Sequence, residues 1–373
     1  MRFARGCQLE RLNTVRLHNQ LRLGAVLLLL WGSGCGSPST SNSQQKSESS
    51  VTSDAITAQP AIRDVTLLNV SYDPTRELWK ALNPAFIEKY FSETGVRVTI
   101  KQSHGASGSQ ARSIIDGLEG DVATLSIWSD TDSLRKKGLI REGWESQFAN
   151  RSLPYTSTVV FVTRQGNPKN IADWPDLLQD GLSVITPSPK TSGNGKLSFL
   201  AAWGSVIARG ASEDEAREFV TKLYSRVPVL DTGARGSTTT FAQKGIGDVH
   251  LALESEAKLE VHEANGALQI IYPQQSILHE PHVAIVDRVV DQRGTRTVAE
   301  AYLNFLYTPA GQEIIAQHHF RPTDPDVLRA HASQFPTIKM FLITDFVPDW
   351  EVANAKFFAD GAIFDSIYSS ASR

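Results

Sequence analysis

The chain has 373 residues, of which 41% are hydrophobic and 21% are charged, and its formal net charge is −3. This composition is typical of a folded globular protein and excludes a disordered or fibrous chain. A slightly acidic chain without a basic cluster is also a poor match for nucleic acid or an anionic membrane surface. The length leaves room for two lobes, since single hydrophobic cores stop growing at roughly 250–300 residues.

Residues 1–35 have the pattern of an export signal. Five arginines precede a short apolar run at 23–31, which is too short to span a bilayer. The run ends in Gly32-Ser33-Gly34-Cys35, which resembles the lipobox of bacterial lipoproteins, where the cysteine is lipidated and becomes the mature N-terminus. Gly32 stands where that pattern prefers an aliphatic residue, so a secretory signal cut nearby, with Cys35 incidental, is the alternative.

Residues 36–63 are rich in Ser, Thr and Gln and have almost no large apolar side chain. Such a segment cannot bury enough surface to fold, and it is predicted to be a flexible tether. The other cysteine, Cys7, lies within the signal, so cleavage at Cys35 leaves no free thiol. Disulfides, cysteine nucleophiles and cysteine-ligated metals are therefore excluded.

Four units of strand, small-residue turn and helix follow in the chain, and they predict α/β layers with largely parallel sheets. In the first unit, a strand at 65–70 is followed by a turn at 71–74 and a helix at 75–90, and in the second, a strand at 96–100 is followed by a turn at 103–108 and a helix at 109–118. The third unit has a strand at 182–185, a turn at 191–195 and a helix at 196–207, and the fourth has a strand at 227–230, a turn at 231–236 and a helix at 237–244. Two further strands, 155–163 and 277–290, lie where the chain could cross between lobes. We therefore expect lobe 1 at 64–157 and 280–373, and lobe 2 at 158–279.

The turns indicate a possible anion site. A helix start leaves backbone N–H groups unpaired and carries roughly half a positive charge. Small residues allow an anion to approach that backbone closely. Several such turns together would hold a dianion without a lysine or arginine, although glycine at strand–helix turns is also routine in α/β proteins.

Signatures of enzymes and metal sites are incomplete. The segment 105–109 resembles a nucleophile elbow but ends in Ser109 instead of glycine, and 192–196 resembles a phosphate loop but is followed by Leu197. No zinc-type spacing is present, and the aspartates at 130–132 and 324–326 lack the rest of a calcium loop, which favours turn and cap roles. We predict no catalytic residue, no metal and no cofactor. An exported hydrolase of sulfate or phosphate esters stays open as the alternative from another class.

Long segments resemble the sulfate- and thiosulfate-binding proteins of bacterial ABC importers, over nearly the whole chain from about residue 64. The matching segments are 68–78, 102–108, 167–171 with 173–174, 187–194, 202–204, 230–238 and 301–303. The resemblance implies a two-lobed type II periplasmic-binding-protein fold, each lobe a mixed, mostly parallel sheet flanked by helices, with the anion in the cleft between them. Backbone N–H groups at helix starts and a serine hydroxyl would hold the anion.

Carried over residue by residue, the resemblance implies anion contacts at Asp73, Ser107, Ser192, Gly193, Asn194 and Ala234. Asp73 would act through its main chain and as a helix cap, because its carboxylate would repel a dianion. Arg235 is expected to brace the turn or the lobe interface without touching the anion. In the sulfate binders an indole N–H also donates to the anion, but here Leu253 stands at that position, as an apolar residue does in the thiosulfate-binding branch.

The function implied is capture of sulfate or thiosulfate outside the cytoplasm, as a monomer, and delivery to the membrane subunits of an ABC importer. The membrane would be contacted only through the lipid at Cys35, and nucleic acid would not be bound. Another oxyanion on the same fold, such as molybdate or phosphate, remains an alternative.

Overall fold

The computed structural model describes residues 64–371. The predicted export signal, the tether and Cys35 lie outside this part of the chain. Within it, no helix combines the length and the apolar character that crossing a membrane requires.

The predicted alternation of strands and helices is confirmed. The strands are β1 (Asp64–Tyr72), β2 (Arg97–Gly105), β3 (Val122–Thr124), β4 (Tyr155–Arg164), β5 (Val184–Pro187), β6 (Leu230–Asp231), β7 (Val249–Leu253), β8 (Leu268–Ile271), β9 (Gln275–His279), β10 (Val283–Ile285), β11 (Arg321–Pro322) and β12 (Lys339–Phe341). The helical segments are α1 (Arg76–Thr94), α2 (Ser107–Ile115), α3 (Trp128–Lys136), α4 (Ala149–Ser152), α5 (Gly193–Ile207), α6 (Glu213–Tyr224), α7 (Ala234–Thr238), α8 (Glu254–Glu263), α9 (Asp287–Arg293), α10 (Arg296–Phe305), α11 (Pro309–Gln317), α12 (Pro325–Ala330), α13 (Trp350–Ala353) and α14 (Ile363–Ala371). Of these, α4 is a single turn with left-handed backbone angles at Asn150 and Arg151, and it is not a regular α-helix.

The first sheet has the strand order β10-β3-β1-β2. β1 runs parallel to β2 and β3, and β10 is antiparallel to β3. Its central strand β1 is buried from Val70 to Tyr72, as expected for a strand covered on both faces. Parallel strands end at one edge of a sheet, so the turns after β1, β2 and β3 lie together.

The second sheet has the order β12-β9-β4-β7-β5-β6, and β8 and β11 also pair with β4. The prediction of mixed sheets is confirmed, but parallel pairs do not predominate in this one. β4 is antiparallel to β7, β8, β9 and β11, whereas β5 is parallel to both β6 and β7. All four antiparallel pairs of this sheet therefore involve β4, which runs opposite to each of these neighbours.

The single strand predicted at 277–290 is instead two strands in different sheets, followed by a helix. β9 belongs to the second sheet and β10 to the first, with Glu280, Pro281 and His282 between them. Proline cannot donate to a strand ladder, which explains the break at this point. The chain therefore crosses between the sheets here, within one short segment.

The C-terminal part of the chain departs from the predicted lobe 1 assignment of 280–373. β12 pairs with β9 in the second sheet. Beyond it, the ring of Phe357 lies 4.9 Å from that of Trp203 and 5.6 Å from that of Phe199, both on α5. Burial of a large apolar side chain stabilises by about 1.5–3 kcal/mol, so this aromatic contact fixes the C-terminus on the second sheet.

Candidate functional site

One small cavity is lined by all six residues that the resemblance implied, namely Asp73, Ser107, Ser192, Gly193, Asn194 and Ala234. The free space within the cavity is about 10 Å³. Pockets for drug-sized molecules measure roughly 300–1,000 Å³, so this cavity suits only a compact ion. It is formed by turns of both sheets.

The residues from the second sheet lie at helix starts, as the resemblance implied, although α5 and α7 begin before the predicted residues 196 and 237. Ser192 is the N-cap of α5, and its Oγ accepts a hydrogen bond from the Gly195 N–H at 3.3 Å. Gly193 and Asn194 are therefore the first two helical residues, whose N–H groups have no partner within the helix. Ala234 is likewise the first residue of α7, after Gly233.

The residues from the first sheet are placed in the same way. Ser107 is the first residue of α2, and its Oγ accepts a hydrogen bond from the Ser126 N–H at 3.0 Å. Asp73 opens the short 3-10 turn that leads into α1. Its Oδ1 accepts a hydrogen bond from Arg76 Nη2 at 3.0 Å, so the carboxylate is engaged with its own turn.

The described residues that line the cavity include no lysine, arginine or histidine. Positive potential there comes from the helix starts, each equivalent to roughly half a charge and effective within the first turn. Among residues 64–371, Asp73 is the one charged residue on the lining. The arrangement can therefore neutralise a small anion with fixed dipoles and N–H donors alone.

The two walls approach each other closely across the cavity. A Cβ added to Gly193 would lie 2.7 Å from the Ser126 Cβ and 3.2 Å from the Ser107 Cβ, distances that side chains do not tolerate without movement. Glycine is thus required at this position by space. The first turn of α5 is packed directly against the first-sheet wall.

The lining has five further residues. Four of them belong to turns that the sequence predicted, namely Tyr72, Pro74, Gly105 and Ala106, whereas Ser126 was not identified from the sequence. Ser126 lies between β3 and α3, which form a fifth unit of strand, turn and helix. The signal was present in the sequence, because Ser126 follows a buried apolar strand as the serines of the other turns do. It was missed because its turn contains no glycine.

Behind this lining lie two histidines. His104 Nδ1 lies 2.5 Å from the Ser71 Oγ, and burial together with Arg76 lowers the His104 pKa to about 4. This contact ties the end of β2 to β1. His279 contacts Ser126, and burial lowers its pKa to about 4 as well.

Arg235 joins the two walls, as expected from the sequence. Its Nη2 lies 3.1 Å from a carboxylate oxygen of Glu77 on α1, and its Nε lies 3.7 Å from Oε1 of the buried Glu256. Desolvation raises the pKa of Glu256. Arg235 is absent from the cavity lining, so it braces the site from outside.

Leu253 is fully buried at the end of β7 and is also absent from the lining. The aspartates questioned as metal ligands have structural partners: Asp132 pairs with Arg135, and Asp324 caps α12. Over residues 64–371, no group of three or more His, Cys, Asp or Glu side chains is arranged to hold a metal ion.

A fold of two sheets flanked by helices, with a small cavity lined by helix starts between them, defines a binding protein of the periplasmic type. The sequence model of the family described as bacterial extracellular solute-binding protein matches residues 67–321. The chain belongs to this family.

Particular relatives are similar over most of their length. A sulfate-binding protein of Escherichia coli is 48% identical over 307 residues, which are 82% of this chain and 93% of that protein. A thiosulfate-binding protein of Pseudomonas aeruginosa is 47% identical over 305 residues, covering 81% of this chain and 92% of that protein.

Solved structures agree with the fold. The sulfate-binding protein SubI of Mycobacterium tuberculosis superposes with a TM-score of 0.72 at 34% identity, covering 79% of this chain and 99% of that chain. A periplasmic thiamin-binding protein has a TM-score of 0.61 at 16% identity, covering 83% of this chain and 96% of that chain, which shows a similarity of fold alone. The type II periplasmic-binding-protein fold expected from the sequence is thereby confirmed.

Proposed function

We propose that this chain captures sulfate or thiosulfate outside the cytoplasm and delivers it to the membrane subunits of an ABC importer, without catalysing a reaction. The strongest support is the cavity in which helix starts from both sheets meet and which no basic side chain lines. The names of the relatives, sulfate-binding and thiosulfate-binding proteins, support the choice of anion. We further propose that Cys35 is lipidated and tethers the chain, as a monomer, to the membrane.

The proposed ligands are the N–H groups of Asp73, Ser107, Gly193, Asn194 and Ala234, with the hydroxyl of Ser192. Because the Ser192 Oγ already accepts the Gly195 N–H, its hydrogen remains to be donated to the anion. A hydrogen bond to a charged group contributes about 1.5–3 kcal/mol, so several of them offset the loss of the anion's water.

A site made almost wholly of donors selects against phosphate at neutral pH. A protonated phosphate oxygen carries a hydrogen that needs an acceptor, and a buried hydroxyl without one is costly. Sulfate and thiosulfate carry no such hydrogen. The anion contacts both sheets, so its binding favours the closed arrangement of the lobes, the hinge closure common to periplasmic binding proteins.

Between the two sulfur anions, we propose that thiosulfate binds at least as well as sulfate. The Leu253 side chain offers no N–H donor and is absent from the cavity lining, so no side chain at this position donates to the anion. A terminal sulfur accepts hydrogen bonds more weakly than an oxygen, so the missing donor costs thiosulfate less than sulfate. One missing donor to a charged group is worth about 1.5–3 kcal/mol, enough to change the preference without abolishing binding.

Isothermal titration calorimetry with sulfate, thiosulfate, molybdate and phosphate tests these proposals. Binding of sulfate and thiosulfate, with at least a hundredfold weaker binding of phosphate, is expected. Tight binding of molybdate or phosphate alone would overturn the choice of anion. Tight sulfate binding without thiosulfate binding would refute the preference, and turnover of a chromogenic sulfate or phosphate ester would show an enzyme.

A further inference from the structure

Ser126 lines the cavity with a hydroxyl that has no role in the binding scheme above. It is 1% exposed and lines the cavity on the first-sheet side. Its backbone N–H is held by Ser107 Oγ at 3.0 Å, so the position of Ser126 is fixed by a residue of the proposed site. Its Oγ would lie 2.9 Å from a Cβ placed on Gly193, which puts the hydroxyl beside the first turn of α5.

The contact between Ser126 and His279 determines whether the Ser126 hydroxyl hydrogen is already used in a hydrogen bond. His279 Nε2 lies 2.6 Å from the carbonyl oxygen of Ser126 and 3.2 Å from its Oγ. A carbonyl only accepts hydrogen bonds, so Nε2 must carry the hydrogen. His279 is therefore a donor toward Ser126, and the Ser126 hydroxyl is left with a hydrogen for which the described residues supply no acceptor.

The state of His279 is consistent with this assignment. The ring is fully buried, its Nδ1 has no hydrogen-bond partner within residues 64–371, and it packs edge-on against Tyr72 at 5.9 Å between ring centroids. Burial lowers its pKa to about 4, so the ring is neutral at pH 7 with its one hydrogen on Nε2. The ring cannot accept from the serine through Nε2 in this form.

We propose that the Ser126 hydroxyl donates a hydrogen bond to the bound anion, and that His279 positions it. This inference rests on the proposed function and adds a specificity-determining side chain to the site. The anion is then held by one serine hydroxyl from each wall, Ser126 from the first sheet and Ser192 from the second. The added donor offsets the N–H that Leu253 does not supply.

The test is calorimetric titration of wild type, Ser126→Ala, His279→Leu and the double variant with sulfate and with thiosulfate. Removal of one hydrogen bond to a charged group corresponds to a loss of roughly 10- to 150-fold in affinity for Ser126→Ala. The unfolding midpoint of each variant without anion is measured alongside, and His279→Gln, whose amide can donate to the same carbonyl, is the conservative control.

A positioning role for His279 predicts non-additivity. His279→Leu lowers affinity in the wild-type background, His279→Gln retains most of it, and His279→Leu adds nothing once Ser126 is alanine. A merely structural histidine would lower affinity equally in both backgrounds, which would overturn the positioning role.

The two proposals fail in different ways. If wild type binds neither anion, the proposed function is wrong and the role of Ser126 falls with it. If wild type binds but Ser126→Ala binds equally well, only the role of Ser126 is overturned. A crystal structure with sulfate gives an independent answer: an anion oxygen within hydrogen-bond distance of Ser126 Oγ supports the proposal, and a longer separation overturns it.

Discussion

Gly193 and Ser126 approach each other across the cavity so closely that a Cβ on Gly193 would lie 2.7 Å from the Cβ of Ser126. One residue belongs to the start of α5 and the other to the turn after β3. The contact therefore joins the two sheets at the proposed anion site. The space between the walls decides which residue can stand at position 193.

Gly193→Val is expected to abolish anion binding, and Gly193→Ala to weaken it at least tenfold. The added carbons meet Ser126 and Ser107 and keep the walls apart. Calorimetry measures the affinity. The unfolding midpoint without anion is measured alongside, because the same clash arises between the walls as they stand in this structure. Wild-type affinity in Gly193→Val would contradict the assigned site.

Ser192→Ala is expected to weaken anion affinity by roughly 10- to 150-fold, because a donor to a charged group is lost. It also removes the N-cap of α5, which costs about 0.5–2 kcal/mol of stability. Ser192→Asp separates the two effects. Aspartate keeps the cap and preserves stability, but its charge repels the anion, so binding should fall further than in Ser192→Ala. Calorimetry and thermal unfolding together check this pair, and equal affinities in both variants would argue against direct contact.

Acid should destabilise the fold between about pH 6.5 and pH 4. Burial lowers the pKa of His279 and of His282 to about 4, below the value of about 6.5 expected in the unfolded chain. The unfolded state thus binds more protons in this window, so stability is fully present above about pH 6.5 and falls as the pH drops toward 4. Urea unfolding at several pH values measures the slope. His279→Gln should reduce it, and an unchanged slope would show that His279 does not contribute.

Phe357→Ala is expected to destabilise the protein by about 3–5 kcal/mol, the usual cost of removing a buried phenylalanine. Phe357 is fully buried and contacts Phe199 and Trp203. Val352→Ala is the control, since Val352 is 39% exposed and should change stability by less than about 0.5 kcal/mol. Denaturant unfolding compares them. Equal effects would mean that the C-terminal segment does not stabilise the second sheet.

Local patterns in the sequence predicted most elements of the fold. The buried runs in β1 and β4 and the small residues after the strands predicted the α/β layers, because these signals depend on neighbours within a few residues. The segment around Pro281 was predicted wrongly as one strand. Its two halves have similar apolar composition, and only pairing partners distant in the chain assign β9 and β10 to different sheets.

The amino-acid sequence alone indicates the chemistry available to this protein: small residues at helix starts, an acidic chain, and segments similar to anion-binding proteins. Tertiary structure decided where the C-terminal strand pairs, that Ser126 joins the cavity, and that Arg235 bridges Glu77 and Glu256. These contacts join residues far apart in the chain. Their geometry follows from the packing of whole sheets and helices, which no short segment specifies.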